Sequence, residues 1–209
     1  MKLSNLKVYD LEESLIASGY PMKTNIEEGT KPIDKDLVRC LNLTKASNGN
    51  GSHGQWMTGV RVAFDLTCTL KMWTEVERYR FLEFVSSQST MHRITKFNLD
   101  ESCNEYVDSR IKAVLNEKIN KYNELCEKEK FDDVAEEKKK AYLKILYNIP
   151  SGFELTARMT TNYRCLLNVY IQRHDHRLPE WREFCEKLLE LPLFKQLVEA
   201  YYSKEKTNG

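Results

Sequence analysis

Val60-Arg61-Val62-Ala63-Phe64-Asp65-Leu66-Thr67 alternates by side-chain type. Val60, Val62, Phe64 and Leu66 fall on one face, and Arg61, Asp65 and Thr67 on the other, which is the two-residue period of a half-buried strand. Behind it the spacing predicts a helix over residues 70–84. Met72, Val76 and Tyr79 share one face, and Lys71, Glu75 and Arg78 another. The polar run Val85-Ser86-Ser87-Gln88-Ser89-Thr90 ends that helix. Upstream, residues 45–54 (KASNGNGSHG) read as a flexible loop, and Ile33, Leu37, Val38 and Leu41 suggest one short helix. Residues 1–50 are otherwise poorly periodic, with strands possible there and near 90–98.

Downstream, Asp100 is a plausible N-cap for a helix marked by Val107, Ile111, Val114, Leu115, Tyr122 and Leu125. Residues 127–140 (EKEKFDDVAEEKKK) read as the charged surface connection of a helical hairpin. Pro150-Ser151-Gly152 breaks the chain. Helical periodicity is then expected over residues 154–172, through Leu155, Met159, Tyr163, Leu166, Leu167 and Tyr170. Pro179 suits the first turn of a further helix over 180–190. A last helix follows Pro192 toward Tyr202.

Composition narrows the function classes. The 209 residues are 41% hydrophobic and 30% charged, enough for a buried core without a disulfide or metal staple. Lys plus Arg is 32 against 31 for Asp plus Glu, so the net charge is +1. That balance excludes a strongly basic nucleic-acid coat as a global explanation. Eight Gly and five Pro are few for this length and favour long helices. No window has the ~20 apolar residues of a membrane span, and no apolar run follows the N-terminal lysines. Six scattered cysteines without a C-x-x-C pair read as free thiols in a cytoplasmic protein.

Three polar clusters could carry chemistry. Arg78-Tyr79-Arg80 is followed by Ser86, Ser87, Gln88, Ser89 and Thr90, arginine forks and hydroxyls suited to phosphate. The plain alternative is solvated arginines beside a polar loop. Asn162, Arg164, Asn168 and Arg173 lie on one expected helix, with Arg164 and Asn168 adjoining at i, i+4. Asn offers paired donor and acceptor positions to a heterocycle; a wet helix face is the alternative. His53 stands in the Gly/Ser loop before the strand. His174 and His176 with Cys165 or Cys185 lack the spacing of a closed zinc site, so no metal is expected.

Together these clusters resemble the flavin-dependent thymidylate synthases of the ThyX type. That family carries a His before a strand, an Arg-His-Arg followed by a Ser, and a helix reading Asn-x-Arg-x-x-x-Asn-x-x-x-x-Arg. Here His53 precedes strand 60–67. Arg78-Tyr79-Arg80 follows it, and Asn162, Arg164, Asn168 and Arg173 keep the helix spacing, with Trp181 beyond. The resemblance covers roughly residues 50–190. It implies an α/β (α+β) fold over residues 1–209 as one domain: helix-rich, with a small mixed or antiparallel sheet. It implies an enzyme that binds FAD, takes NADPH and methylenetetrahydrofolate as co-substrates, and methylates dUMP or a related pyrimidine nucleotide. A homotetramer is the implied assembly, and neither a membrane nor nucleic acid is an expected partner. By position, His53, Arg78, Tyr79, Arg80, Asn162, Arg164 and Asn168 would hold the cofactor. Gln88, Ser89, Arg93 and Arg173 would meet the substrate, with Ser89 and Arg173 in catalytic roles.

Several positions depart from the family pattern. Tyr79 replaces the central His. Gln88 stands where the serine is expected and Ser89 is one later. Met91 replaces a family arginine, with Arg93 two further on, and Leu146 replaces another. Two other readings therefore remain open. One is a ThyX-like protein with altered activity, such as pyrimidine-nucleotide hydroxymethylation or binding without turnover. The other is an unrelated α-rich protein in which Arg158, Arg164, Arg173 and Arg177 form a nucleic-acid stripe.

Overall fold

The computed structural model describes residues 1–47, 51–129 and 133–203. Four strands, β1 (Lys2–Tyr9), β2 (Arg61–Thr69), β3 (Glu83–Ser87) and β4 (Glu154–Asn162), form an antiparallel sheet in the order β1-β2-β4-β3. The helices are α1 (Leu11–Ala17), α2 (Asp34–Ser47), α3 (Leu70–Val76), α4 (Thr90–Arg93), α5 (Leu99–Ser102), α6 (Ser109–Lys128), α7 (Ala135–Leu146), α8 (Tyr163–Arg173), α9 (Pro179–Leu188) and α10 (Phe194–Tyr202). No helix among the described residues is long and apolar enough to cross a membrane. The helix-rich α+β architecture is the expected one.

The chain divides into two compact units. The first comprises the described parts of Met1–Leu66, Val76–Val85 and Arg158–Gly209. Its core is aromatic: Phe64, Tyr163, Trp181, Phe184 and Phe194 are fully buried. Trp181 meets Phe184 edge to face at 5.9 Å between centroids, and Tyr163 meets Phe194 at 5.4 Å. Val60, Val62, Phe64 and Leu66 are all buried, as the alternation requires. On the opposite face Arg158 Nη1 donates to Asp65 Oδ1 at 3.2 Å and to the Asn5 carbonyl at 2.9 Å. At α1 and α2, Arg39 Nε donates to Ser18 Oγ at 2.9 Å, and its Nη2 pairs with Asp36. Asp36 Oδ2 accepts from the Ile33 amide at 3.0 Å. That bond first, then Arg39, holds the Asp36 carboxyl below its ordinary value of 3.8.

The second unit comprises Thr67–Glu75 and the described parts of Ser86–Ala157. Ile94, Leu99, Cys103, Leu115, Ile119, Ile145 and Phe153 form its core. Its strand segments are laced by the Thr67–Thr156 hydroxyl pair at 2.7 Å and by Trp73 Nε1 donating to the Leu155 carbonyl at 3.2 Å.

Several elements differ from the sequence expectation. The helix expected over 70–84 stops at Val76. Amides of Tyr79 and Leu82 then close successive turns onto Val76 and Tyr79, and the polar run is divided, with Val85, Ser86 and Ser87 in strand β3 and Thr90 opening α4. The helix expected over 154–172 is half strand: Ala157, Met159 and Thr161 alternate inward as β4, and helix begins only at Tyr163. No strand is found over 90–98, where α4 and a short 3-10 turn lie instead. Asp100 is not a cap; Asn98 caps α5 and Asp108 caps α6 through side-chain oxygens. The 45–54 loop is partly regular, since α2 runs to Ser47 and a 3-10 helix spans Ser52–Thr58. Residues 48–50 of it, and 130–132 of the charged connection, lie outside the described residues. The short helix near Ile33 is the longer α2, whose buried face carries Asp36, Cys40, Thr44 and Ser47 rather than Ile33 and Val38. All six cysteines are free.

Candidate flavin and nucleotide site

Helix α8 grows directly out of β4. Asn162 ends the strand and caps the helix, its Oδ1 accepting from the Cys165 amide at 2.9 Å. An Asn that would weaken a helix interior strengthens a helix start. The Tyr163 amide donates to the Val60 carbonyl at 3.0 Å, tying the first turn of α8 to the start of β2. Arg164, Asn168 and Gln172 then follow at intervals of four, so they share one face.

The turns after α3 bury the Tyr79 ring and leave Arg78 and Arg80 exposed on either side. The Tyr79 hydroxyl accepts from Arg173 Nε at 2.8 Å and donates to Gln172 Oε1 at 3.0 Å. Gln172 Nε2 donates to Asn168 Oδ1 at 3.0 Å. The Arg173 guanidinium lies over the Trp181 ring at 4.9 Å and over Tyr79 at 5.6 Å, and its Nη1 is 2.8 Å from His176 Nε2. Burial pushes the Tyr79 phenol above its ordinary value of 10.0, with Arg173 pulling partly the other way.

Beside these contacts lies a cavity of about 650 Å³, within the usual range for small-molecule sites; its lining includes Tyr79 but not Arg173. Six of the expected cofactor residues line it: Arg78, Tyr79, Arg80, Asn162, Arg164 and Asn168. Gln55, Thr58 and Arg61 line it too, while no carboxylate does among the described residues. Arg164 Nη1 donates to Gln55 Oε1 at 2.6 Å. Sequence reasoning missed Arg61, Gln55 and Thr58; only Arg61 carried a signal, as a cation on the polar face of the strand.

His53 lies apart from this lining. It sits in the 3-10 helix Ser52–Thr58 and lines a second cavity of about 450 Å³ with Trp56, Ser14 and Ser18. Trp56 Nε1 is buried there without a hydrogen-bond partner. Gln88, Ser89 and Arg93 belong to the second unit and do not line the arginine cavity. Gln88 exchanges hydrogen bonds with Thr156: its amide donates to the Thr156 carbonyl, and its Oε1 accepts from the Thr156 amide, both at 2.9 Å. Ser89 is the N-cap residue of α4 and makes no side-chain cap bond. No group of three or more His, Cys, Asp or Glu is placed to hold a metal among the described residues. Of the four arginines of the alternative stripe, Arg158 is bound to Asp65, Arg164 to Gln55 and Arg173 to Tyr79.

The sequence matches the family model for the thymidylate synthase complementing protein over residues 47–197. This chain belongs to that family. The thymidylate synthase complementing family is that of the flavin-dependent thymidylate synthases, so the unrelated α-rich reading is set aside. No curated protein matches the sequence. Among solved structures, the chain is similar to flavin-dependent thymidylate synthase ThyX from Helicobacter pylori complexed with FAD and dUMP. Identity is 15%, with 95% of this chain and 97% of that one covered, at a TM-score of 0.66. A second structure of Helicobacter pylori ThyX with FAD and dUMP is 14% identical over 96% and 99% of the two chains, at a TM-score of 0.64. At such identity the likeness is one of fold.

The residues present fit a flavin dinucleotide. Four arginines without a lining carboxylate suit a pyrophosphate. Asn162 and Asn168 both use their side-chain oxygens within the protein. Their amide nitrogens have no partner among the described residues and can donate to a heterocycle.

Proposed function

We propose that this chain catalyses the reductive methylation of dUMP to dTMP, with methylenetetrahydrofolate as one-carbon donor and NADPH as reductant of FAD. The observation that carries the reading is the family match over residues 47–197, whose polar motifs converge on one arginine- and asparagine-lined cavity. A bound flavin supplies the hydride chemistry, so no protein nucleophile is required. In this reading Arg78, Arg80 and Arg61 hold the phosphates through charge-assisted bonds. Asn162, Arg164 and Asn168 would hold the ring system, with Tyr79 in the same lining. His53 contributes from the neighbouring cavity. Arg173, oriented by Tyr79 and Trp181, faces the pyrimidine and stabilises charge developing on its carbonyl. Gln88, Ser89 and Arg93 bind the nucleotide; Ser89 positions it.

The assembly proposed is a homotetramer. Strand β3 is exposed along its whole length at the sheet edge, with Val85 62% and Phe84 43% accessible, which suits burial against another copy. A partner copy would then supply the second-unit residues to the arginine cavity. The free thiols support a cytoplasmic setting.

The test is direct. Purified protein should be yellow or take up FAD, convert dUMP to dTMP with methylenetetrahydrofolate and NADPH, and relieve the thymidine requirement of a synthase-deficient strain. Colourless protein that cannot be reconstituted with FAD overturns the reading. FAD uptake with no dTMP formed directs attention to another pyrimidine product.

A further inference from the structure

A side chain outside the cavity lining sets the hydrogen-bonding sense of the cavity. A guanidinium has no acceptor, so at the 2.8 Å contact with Arg173 Nε the Tyr79 hydroxyl must accept. Its single proton is then directed to Gln172 Oε1 at 3.0 Å. That turns the other end of the Gln172 amide, Nε2, onto Asn168 Oδ1 at 3.0 Å. Asn168 lines the cavity. With its oxygen engaged, the Asn168 NH2 is the polar group left to a ligand. The three hydrogen bonds form one consistent chain, from the guanidinium that can only donate to the amide at the cavity. Gln172 occupies the next turn of the face that carries Arg164 and Asn168.

We propose that Gln172 is a positioning residue: it holds the Asn168 carboxamide with its NH2 toward the cavity, so that the ligand atom bound there is a hydrogen-bond acceptor. A flavin carbonyl oxygen or unprotonated ring nitrogen meets that requirement, and the inference rests on the flavin reading of the cavity. Tyr79, at the place of the family's central His, is what makes Gln172 necessary. Its hydroxyl has one proton to donate, and Gln172 Oε1 accepts that hydrogen bond.

The test compares Gln172→Glu with Gln172→Met, using FAD affinity from flavin fluorescence, the visible spectrum of bound flavin, and the melting temperature of the apoprotein. In Gln172→Glu the introduced carboxylate still accepts from Tyr79 but cannot donate to Asn168. It draws the Asn168 NH2 to itself and leaves the oxygen facing the cavity. FAD should bind roughly tenfold more weakly at neutral pH, with the fold retained. Gln172→Met keeps the length and leaves the amide unbiased, so it should weaken binding less, about threefold. Lowering the pH toward the ordinary glutamate value of about 4.3 protonates the introduced carboxylate and restores a donor. Relative to wild type at the same pH, Gln172→Glu should recover and Gln172→Met should not. Wild-type affinity in Gln172→Glu at neutral pH overturns the proposal. So do equal losses in both variants with no recovery, the result of a merely structural role. If Gln172→Glu does not fold, unchanged affinity in Gln172→Met overturns it. Wild-type protein that takes up no FAD overturns the flavin reading and this inference with it; wild-type uptake with unaffected variants overturns this inference alone.

Discussion

Two arginines flank a tyrosine in the turns after α3, and the three side chains have separate tasks. Arg78 and Arg80 are exposed and line the cavity; in the proposed reading, replacing both with Ala would remove charge-assisted phosphate contacts at little cost to the fold. Together the losses should reach roughly 3 kcal/mol, about a hundredfold in FAD affinity. Calorimetric titration of the apoprotein checks this, and an unchanged dissociation constant would reject their role. Tyr79 is the buried member, and its ring meets Trp181 at 5.8 Å. Tyr79→Phe keeps that contact but removes the hydroxyl joining Arg173 to Gln172. The variant should lose about 1 kcal/mol and melt roughly 2–4 °C lower, as read by calorimetry. Much of the site was legible at this scale because Arg164 and Asn168 are four apart and must adjoin on a helix. Arg61 and Gln55 were not legible, since they reach the cavity through tertiary packing that no local spacing reports. The departure at Tyr79 was visible, but its consequence, the Gln172 contact, needed the fold.

Elements were misread where two periods meet without a break. Residues 154–172 contain apolar side chains at helical intervals, yet Thr156, Thr160 and Thr161 are β-branched and favour the pleated β4. The Asn that seemed costly inside a helix is the boundary mark itself. Asn162→Ala should remove the cap bond to Cys165 and cost about 1 kcal/mol, seen as a lower melting temperature. Asn162→Ser separates the observed cap from the proposed flavin contact. It keeps an N-cap oxygen, so the melting temperature should hold while FAD affinity falls severalfold for want of the amide donor. Equal FAD affinity in Asn162→Ser and wild type would confine Asn162 to capping. Strand β3 reads as a polar helix end in the sequence because all five of its residues are exposed. A strand without a buried face leaves no two-residue alternation to read. By contrast β2, buried on one side, announced itself.

Acid sensitivity belongs to the whole molecule. Asp36 is mostly buried, and its carboxyl titrates below the ordinary 3.8. The stability it contributes is fully present above that value and is lost as pH falls through the depressed folded-state value. Acid unfolding should therefore steepen below about pH 3.8, and Asp36→Asn should flatten that limb while lowering stability at neutral pH; denaturant titration at several pH values checks both. Assembly is the other property at this scale. Val85→Glu places a charge on the exposed β3 edge and should shift the proposed tetramer toward smaller species in sedimentation, with the monomer still folded. An unchanged sedimentation pattern would move the proposed contact elsewhere. The broad architecture was legible from few Gly and Pro, long periodic segments and one clean strand. The division into two compact units was not, because β2, β3 and β4 each begin in one unit and end in the other and leave no linker in the sequence.

The joint between β4 and α8 contains no spare residue: Asn162 closes the strand and Tyr163 opens the helix. Each residue of a helix advances about 100° around its axis. Inserting or deleting a single residue there would rotate Arg164, Asn168 and Gln172 together by roughly that angle, away from the cavity that Arg164 and Asn168 line. Substitution at the joint alters one contact, whereas a change of length puts the whole helix out of phase. Descendants of this chain can therefore change side chains at this joint but not the number of residues in it. At residue 162 they must keep count.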